Sequence, residues 1–257
     1  MSDFKKFILE YITDQWCENP NMTNEALKDK HRSVRSNVVE NHDAYYKTHL
    51  NKQLDNKNTE VRITAAMDPN ANAEHLHKAL DDKDKDVRFA AAKHRDANAE
   101  HLHKALDDKS IHVRWAAARH PNATADVLHK ALNDKHPHVR AAAARHPNAT
   151  AEHLHKALSD KNSGVRLDAI NRKDVNAEHL HKALKDTDQL VRSAAARHPN
   201  ATAEHLHKVL DDKSEYVRAI AAVHPNATAG NLRKALGDKN EFIRSTAAER
   251  LKSGDHK

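Results

Sequence analysis

The 257-residue chain is poor in the residues that build irregular or covalently braced folds: one cysteine, four glycines, seven prolines and only 4% aromatics. With Cys17 alone, no intrachain disulfide, cysteine zinc knuckle or iron–sulfur cluster can form, and a reducing, cytoplasmic compartment is expected. No apolar run approaches the roughly 20 residues that cross a bilayer. Glu10 and Asp14 interrupt the opening segment MSDFKKFILEYITDQWC where a signal peptide needs unbroken hydrophobes, so neither export nor a membrane partner is expected. So few glycines leave no phosphate-cradling loop, and stacked copies of one unit supply no Ser-His-Asp set or paired catalytic carboxylates. A protein with no catalytic residues, no metal and no cofactor is the expectation.

Charge and repetition are abundant instead. Charged residues make 31% of the chain, apolar ones 38%, and the formal net charge is +6. A Val-Arg pair, Ile-Arg in the last copy, begins at Val61, Val87, Val113, Val139, Val165, Val191, Val217 and Ile243, always 26 residues apart. An earlier copy at Val34 is offset by 27. The unit reads VRWAAARHPNATADVLHKALNDKHPH from Val113 to His138, and a fixed period of this size marks a duplicated supersecondary unit.

Within a unit, Val113, Ala116, Ala117 and His120 share one face of a 3.6-residue helix, which Pro121 stops. Asp84, Ser110, Asn162, Asp188, Ser214 and Asn240 stand three residues ahead of the Val-Arg pairs as N-caps, with His136 as the exception. After a PNA loop the next caps are Asn72, Asn98, Thr124, Thr150, Asn176, Thr202 and Thr228, leading into AEHLHKAL, where Leu154 and Leu158 mark the buried stripe of a second helix. Two short helices cannot bury their faces alone, so neighbouring units must stack. The fold class expected is all-α, an α-solenoid of about nine 26-residue two-helix repeats over residues 34–251. Residues 1–33, with the stripe Phe4, Phe7, Ile8, Tyr11, Ile12 and Trp16, are expected to form an N-terminal capping helix and a degenerate first repeat, and 252–257 a polar tail.

The consensus VRxAAARHPNATAEHLHKALDDK resembles the units of the leucine-rich repeat variant family, and HEAT-like α-helical repeats more broadly. The shared features are a Val-Arg start, a small-residue helix, an Asn-Pro-like loop and a Leu-containing second helix, running from about Ile12 to Arg250. The resemblance implies a right-handed superhelix of paired short helices and a binding role rather than a reaction. The unit here is slightly longer than that family's, the cysteine cluster of a founding member is missing, and the LxxLxLxxN pattern of strand-lined horseshoes is absent.

Repeated polar residues form ladders. The Arg ladder from Arg62 to Arg244 runs beside an Asp ladder from Asp82 to Asp238, and an internal Arg–Asp hydrogen-bond ladder that sets register is expected. The Lys ladder from Lys78 to Lys234 has a Glu four residues earlier in most units, which predicts solvated pairs within the second helix. The 23 histidines lie in rows a whole unit apart, which do not converge on one ion, and the HLH pair points its rings to different sides. His120, His146, His198 and His224 before proline are expected to close the first helix, where partial positive charge is favourable. Acid should raise repulsion along the rows.

Contact residues are sought where the copies differ. The third residue of the unit is Phe89, Trp115 and Leu167 in the middle units, then Ser193 and Ser245. The large side chains either face outward as partner anchors or pack on the next helix. Arg119, Arg145 and Arg197, with Lys93, add a cationic row. Asp168 takes an alanine position, and an ion pair with Arg172 four residues on is expected. The expected function is a non-enzymatic scaffold binding another macromolecule, a protein, with Phe89, Trp115, Leu167, Arg119, Arg145 and Arg197 in the contact surface. The alternative is nucleic-acid backbone binding by the Arg and Lys ladders. Helical-repeat DNA glycosylases offer an enzymatic reading by analogy alone, with Trp115, Asp168 and Arg172 nearest in kind to their site residues.

Overall fold

The computed structural model describes residues 47–255. The expected capping segment 1–33, with Cys17, and the Val34 copy lie outside the described residues. Among the described residues there are sixteen helices and no strand. They are α1 (47–54), α2 (Thr59–Met67), α3 (Ala73–Ala79), α4 (Lys85–Lys93), α5 (Ala99–Leu106), α6 (Ile111–Ala118), α7 (Ala125–Ala131), α8 (Pro137–Arg145), α9 (Ala151–Ala157), α10 (Ser163–Ile170), α11 (Ala177–Ala183), α12 (Gln189–Arg197), α13 (Ala203–Val209), α14 (Glu215–Val223), α15 (Ala229–Ala235) and α16 (Glu241–Ser253).

The chain divides into two compact units, residues 1–105 and 106–257. In the first, α2 packs on α4 and α3 touches both. In the second, the first helices α6, α8, α10, α12, α14 and α16 pack in succession. Each second helix, α7, α9, α11, α13 and α15, touches the first helix of its own repeat and of the next. The described part of each unit is therefore an array of two-helix repeats of the expected α-solenoid kind. Helices of seven to nine residues are marginal alone, and what holds them is this packing. The runs Ala90–Ala92, Ala116–Ala118 and Ala141–Ala144 are buried, so small side chains line the contacts between first helices, while Leu102, Leu128, Leu154 and Leu180 fill the space beneath the second.

The expected Arg–Asp ladder is present, and its geometry is more specific than the spacing shows. Arg140 Nε and Nη2 donate to the two Asp160 carboxylate oxygens at 2.6 and 2.8 Å, and Nη1 donates to the Asp134 and Lys135 carbonyls at 2.9 and 3.1 Å. Arg62–Asp82, Arg114–Asp134, Arg166–Asp186, Arg192–Asp212 and Arg218–Asp238 repeat the forked pair. The aspartate six residues ahead thus contributes only its carbonyl. The carboxylate comes from the loop after the second helix, so each guanidinium ties the loop before its repeat to the loop after it. Burial is the largest influence on the Asp160 carboxyl and pushes it up. The Arg140 bonds, the Asn162 N–H and the guanidinium charge outweigh it and hold the group below the ordinary carboxylate range.

The Lys ladder departs from its expected intrahelical pairs. Lys208 does bond Glu204, at 2.8 Å, but Lys78, Lys104, Lys130 and Lys234 reach Asp55, Asp81, Asp107 and Asp211 of the preceding repeat at 2.7–2.8 Å. Lys182 bonds Ser159, which stands in that aspartate column, and Lys208 finds Lys185 there and turns back to its own helix. Of the second-helix rungs, Lys104 and Lys234 also donate to the His77 and His207 carbonyls, at 3.3 and 2.8 Å. Inter-repeat acceptors win because they offer a carbonyl and a carboxylate at once.

Histidine is the other correction. The first ring of each HLH pair is buried at His75, His101, His153, His179 and His205. Its Nδ1 accepts the backbone N–H of the N-cap residue at 3.0–3.4 Å, completing a reciprocal capping box in which His takes the place of Glu. Its Nε2 meets a carbonyl 28 residues earlier, Lys47, Ala73 and Ala177 for His75, His101 and His205, at 3.0–3.1 Å. Asn231 fills the same column. Its Oδ1 accepts from Thr228 N–H and its Nδ2 donates to the Ala203 carbonyl, both at 3.0 Å, the only way an amide serves both partners. The network therefore assigns the neutral ring with its proton on Nε2.

The histidines before proline follow the same hydrogen-bonding logic. His146 is buried, its Nδ1 accepts Asn148 N–H at 3.1 Å, and its Nε2 donates to the His120 carbonyl at 3.0 Å. His198 binds Asn200 N–H and the Arg172 carbonyl in the same way. Burial, with Arg172 and His120 nearby, holds His146 below the usual histidine range against the opposing pull of its backbone bond. His136, the expected exception among the N-caps, accepts His138 N–H through Nδ1, whereas Ser110 and Ser214 make no side-chain cap bond.

Candidate functional site

Several of the side chains left over after stacking lie on the first helices. The third and seventh residues of a repeat are four apart on one helix and therefore adjacent on its surface. Lys93 Nζ stands 5.3 Å from the Phe89 ring centroid, and the Arg119 guanidinium 4.6 Å from that of Trp115. Arg145 has Ala141 in the ring position and pairs with Asp168 of the next repeat at 3.2 Å. Arg197 has Ser193 there and turns to Tyr216 of the next repeat, 4.9 Å from the ring and hydrogen-bonded to its hydroxyl. Phe89, Trp115 and Leu167 are half-buried, while Arg119, Arg145 and Arg197 are exposed.

In the second unit a groove of about 270 Å³ between α6 and α8 is lined by Trp115, Arg119, Ala142, Arg145, His146 and Pro147. It brings together three of the six residues picked from the sequence. A groove of about 390 Å³ between α10 and α12 holds Leu167 and Arg197 together with Leu190, Ser193 and Pro199. In the first unit, Phe89 and Lys93 share a groove of about 380 Å³ with Ile63, Met67 and Pro69.

The expected Asp168–Arg172 pair does not form. Arg172 stands in the histidine column and takes over that residue's task, donating to the His146 and Ala149 carbonyls, and its carboxylate partner is Asp174 at 2.6 Å. Asp168 faces Arg145 instead. Burial, its largest influence, raises the Asp168 carboxyl despite Arg145 and His138. Asp168 and Arg172 are thus held by different partners, Arg145 and Asp174.

No family model and no curated protein matches this chain. Among the described residues no helix is long and apolar enough to cross a membrane, and no three of His, Cys, Asp and Glu stand where they could hold one metal ion.

The structure exposes a column that sequence reasoning passed over. The residue before each Val-Arg pair is Glu60, Asp86, His112, His138 and Gly164 in the earlier repeats, then Leu190, Tyr216 and Phe242. These last three are 61%, 47% and 60% exposed, and Val223 on the same helix as Tyr216 is 52% exposed. Aligning that column would have shown the change from polar to apolar. Ser193 is the converse case, a polar residue of the third column that is 2% exposed, with no hydrogen-bond partner for its hydroxyl. Ser193→Ala, the residue found at 141 and 219, is expected to raise stability by about 0.5–1 kcal/mol in urea unfolding, because an unsatisfied hydroxyl leaves the interior. A loss of stability would show that the hydroxyl has a partner.

Proposed function

We propose that the chain is a non-enzymatic scaffold of the leucine-rich repeat variant or HEAT-like kind, working in the cytoplasm and binding a protein partner through the face of its first helices. The observation that carries this reading is the Trp115 groove, where a half-buried indole lies beside two exposed arginines that take no part in the Arg–Asp ladder. Trp and Arg are the residues that most often dominate binding energy at protein interfaces. Phosphate tracking has less to work with. The Arg ladder spends its forks on Asp, and four rungs of the Lys ladder are tied to Asp of the preceding repeat.

Fluorescence anisotropy of random duplex DNA and single-stranded RNA against the full chain, from low to physiological salt, is the test. No salt-dependent binding is expected. Micromolar affinity with a log–log salt slope of several units would replace the protein-scaffold reading with the phosphate-binding one.

A further inference from the structure

The first-helix face of the second unit changes character along its length. Helices α6 and α8 contain no acidic residue, and the exposed side chains there include Arg119, Arg145, His112 and His138 around Trp115. The next repeat brings the first acid, Asp168, beside Leu167. Beyond it come the exposed Leu190, Tyr216 and Phe242, flanked by the exposed Glu215 and Glu241. One end is cationic with an indole; the other is apolar with acidic neighbours, and the arginine on this row there, Arg197, is engaged by the ring and hydroxyl of Tyr216.

Resting on the protein-scaffold reading, we infer that this face takes a peptide segment with an acidic end and an apolar end, its carboxylates at Arg119 and Arg145 and its apolar side chains at Leu190, Tyr216 and Phe242. The acids at the apolar end fix the direction, because a reversed segment would set its carboxylates against Glu215 and Glu241. The Asp168 pair leaves Arg145 available, since the arginine side chain is 63% exposed and its remaining N–H groups can take an incoming carboxylate. Five steps of packed helices at roughly 8–10 Å each span about 40–50 Å, the reach of some 14 extended residues. A nucleic acid suits the face less well. Its charge recurs without a break, about every 1.7 Å of duplex axis, and would run from Arg119 and Arg145 onto Asp168, Glu215 and Glu241.

A displayed library of random 16-residue peptides selected on the full chain at physiological salt tests the assignment. Enrichment of peptides with an Asp/Glu cluster at one end and Leu, Phe or Trp at the other is expected. Their affinity should fall at least tenfold with Arg119→Glu and Arg145→Glu combined, and separately with Leu190→Ser and Phe242→Ser combined, the variants keeping the parent's helical circular dichroism. Changing the peptide's acids to lysine should restore binding to the charge-reversed variant. Selected peptides that lack an acidic cluster, ignore the charge reversal and yet are lost with Trp115→Ala would overturn this inference while leaving the scaffold reading intact. No selectable peptide, or displacement of the peptides by short duplex DNA or single-stranded RNA, would overturn both.

Discussion

Replacing Asp160 by alanine is expected to cost about 3–5 kcal/mol, the usual penalty when one partner of a buried ion pair is removed and the other stays charged in the interior. Arg140 is only 5% exposed, and both arms of its fork end on that carboxylate. The loss also frees Asn162 N–H, which Asp160 Oδ1 accepts at 2.8 Å. Because stacked repeats couple mainly to their neighbours, the damage should centre on α8 and the loops it ties, seen as faster amide exchange there as well as a lower urea midpoint. Replacing Arg140 and Asp160 together by leucine should recover much of the loss, since no unpaired charge then remains. A cost below about 1 kcal/mol for Asp160→Ala would remove the ladder from the account of what sets register. Acid acts on the same bond. The Asp160 carboxyl is depressed in the folded chain, so its contribution is complete above the unfolded carboxylate value and is lost as pH falls through the lower folded one.

A second acid transition should appear at higher pH, driven by histidine. His146, His153 and His179 are all held below their ordinary value, with burial the largest cause. For a histidine the sign follows directly: the unfolded chain binds the proton more readily, so stability is complete above about pH 6.5 and falls progressively below it. The structural reason is the ring's double duty. Nδ1 accepts a backbone N–H at Asn148, Thr150 and Asn176 respectively, and a proton placed there breaks that bond by setting donor against donor. Thermal melts from pH 8 to pH 5 should lose several degrees, each kcal/mol moving a domain of 150–250 residues by roughly 2–4 °C. His153→Asn with His179→Asn supplies the control. Asn231 makes both bonds of that column without titrating, so the double variant should keep most of the neutral-pH stability and show a shallower acid loss. An unchanged pH profile would place the sensitivity elsewhere.

Both predictions depend on partners that sequence reasoning mostly missed. The Lys–Glu pairs expected within the second helix obey a sound local rule, yet Lys104 prefers Asp81 because that aspartate and the His77 carbonyl converge on it from the preceding repeat. Likewise, Asp168 and Arg172 have the spacing of a helical ion pair, but each has a better partner in space. Trp115 and Arg119 were legible as neighbours because both lie on one short helix. Their grouping with Arg145 was not, since it needs α8 packed against α6. Leu190, Tyr216 and Phe242 are legible in the column before Val-Arg, whose residues change from polar to apolar along the chain, but their exposure is not, since it needs the packed first helices.

The amino-acid sequence by itself determined the all-helical repeat character of the described chain, the approximate position of each helix and the residues that differ between copies. Those properties follow from local causes: a 3.6-residue apolar period, capping side chains and a proline or asparagine-rich stop, repeated every 26 residues. Only the tertiary structure decided which partner each repeated polar side chain takes. Those partners stand 20 to 28 residues away in a neighbouring loop or helix, as with Arg140 and Asp160, Lys104 and Asp81, or His205 and the Ala177 carbonyl. Every copy of a ladder offers the same residue types at several sequence distances. Only packing selects among them, by bringing one acceptor within hydrogen-bond reach and burying it too deeply to be left unpaired.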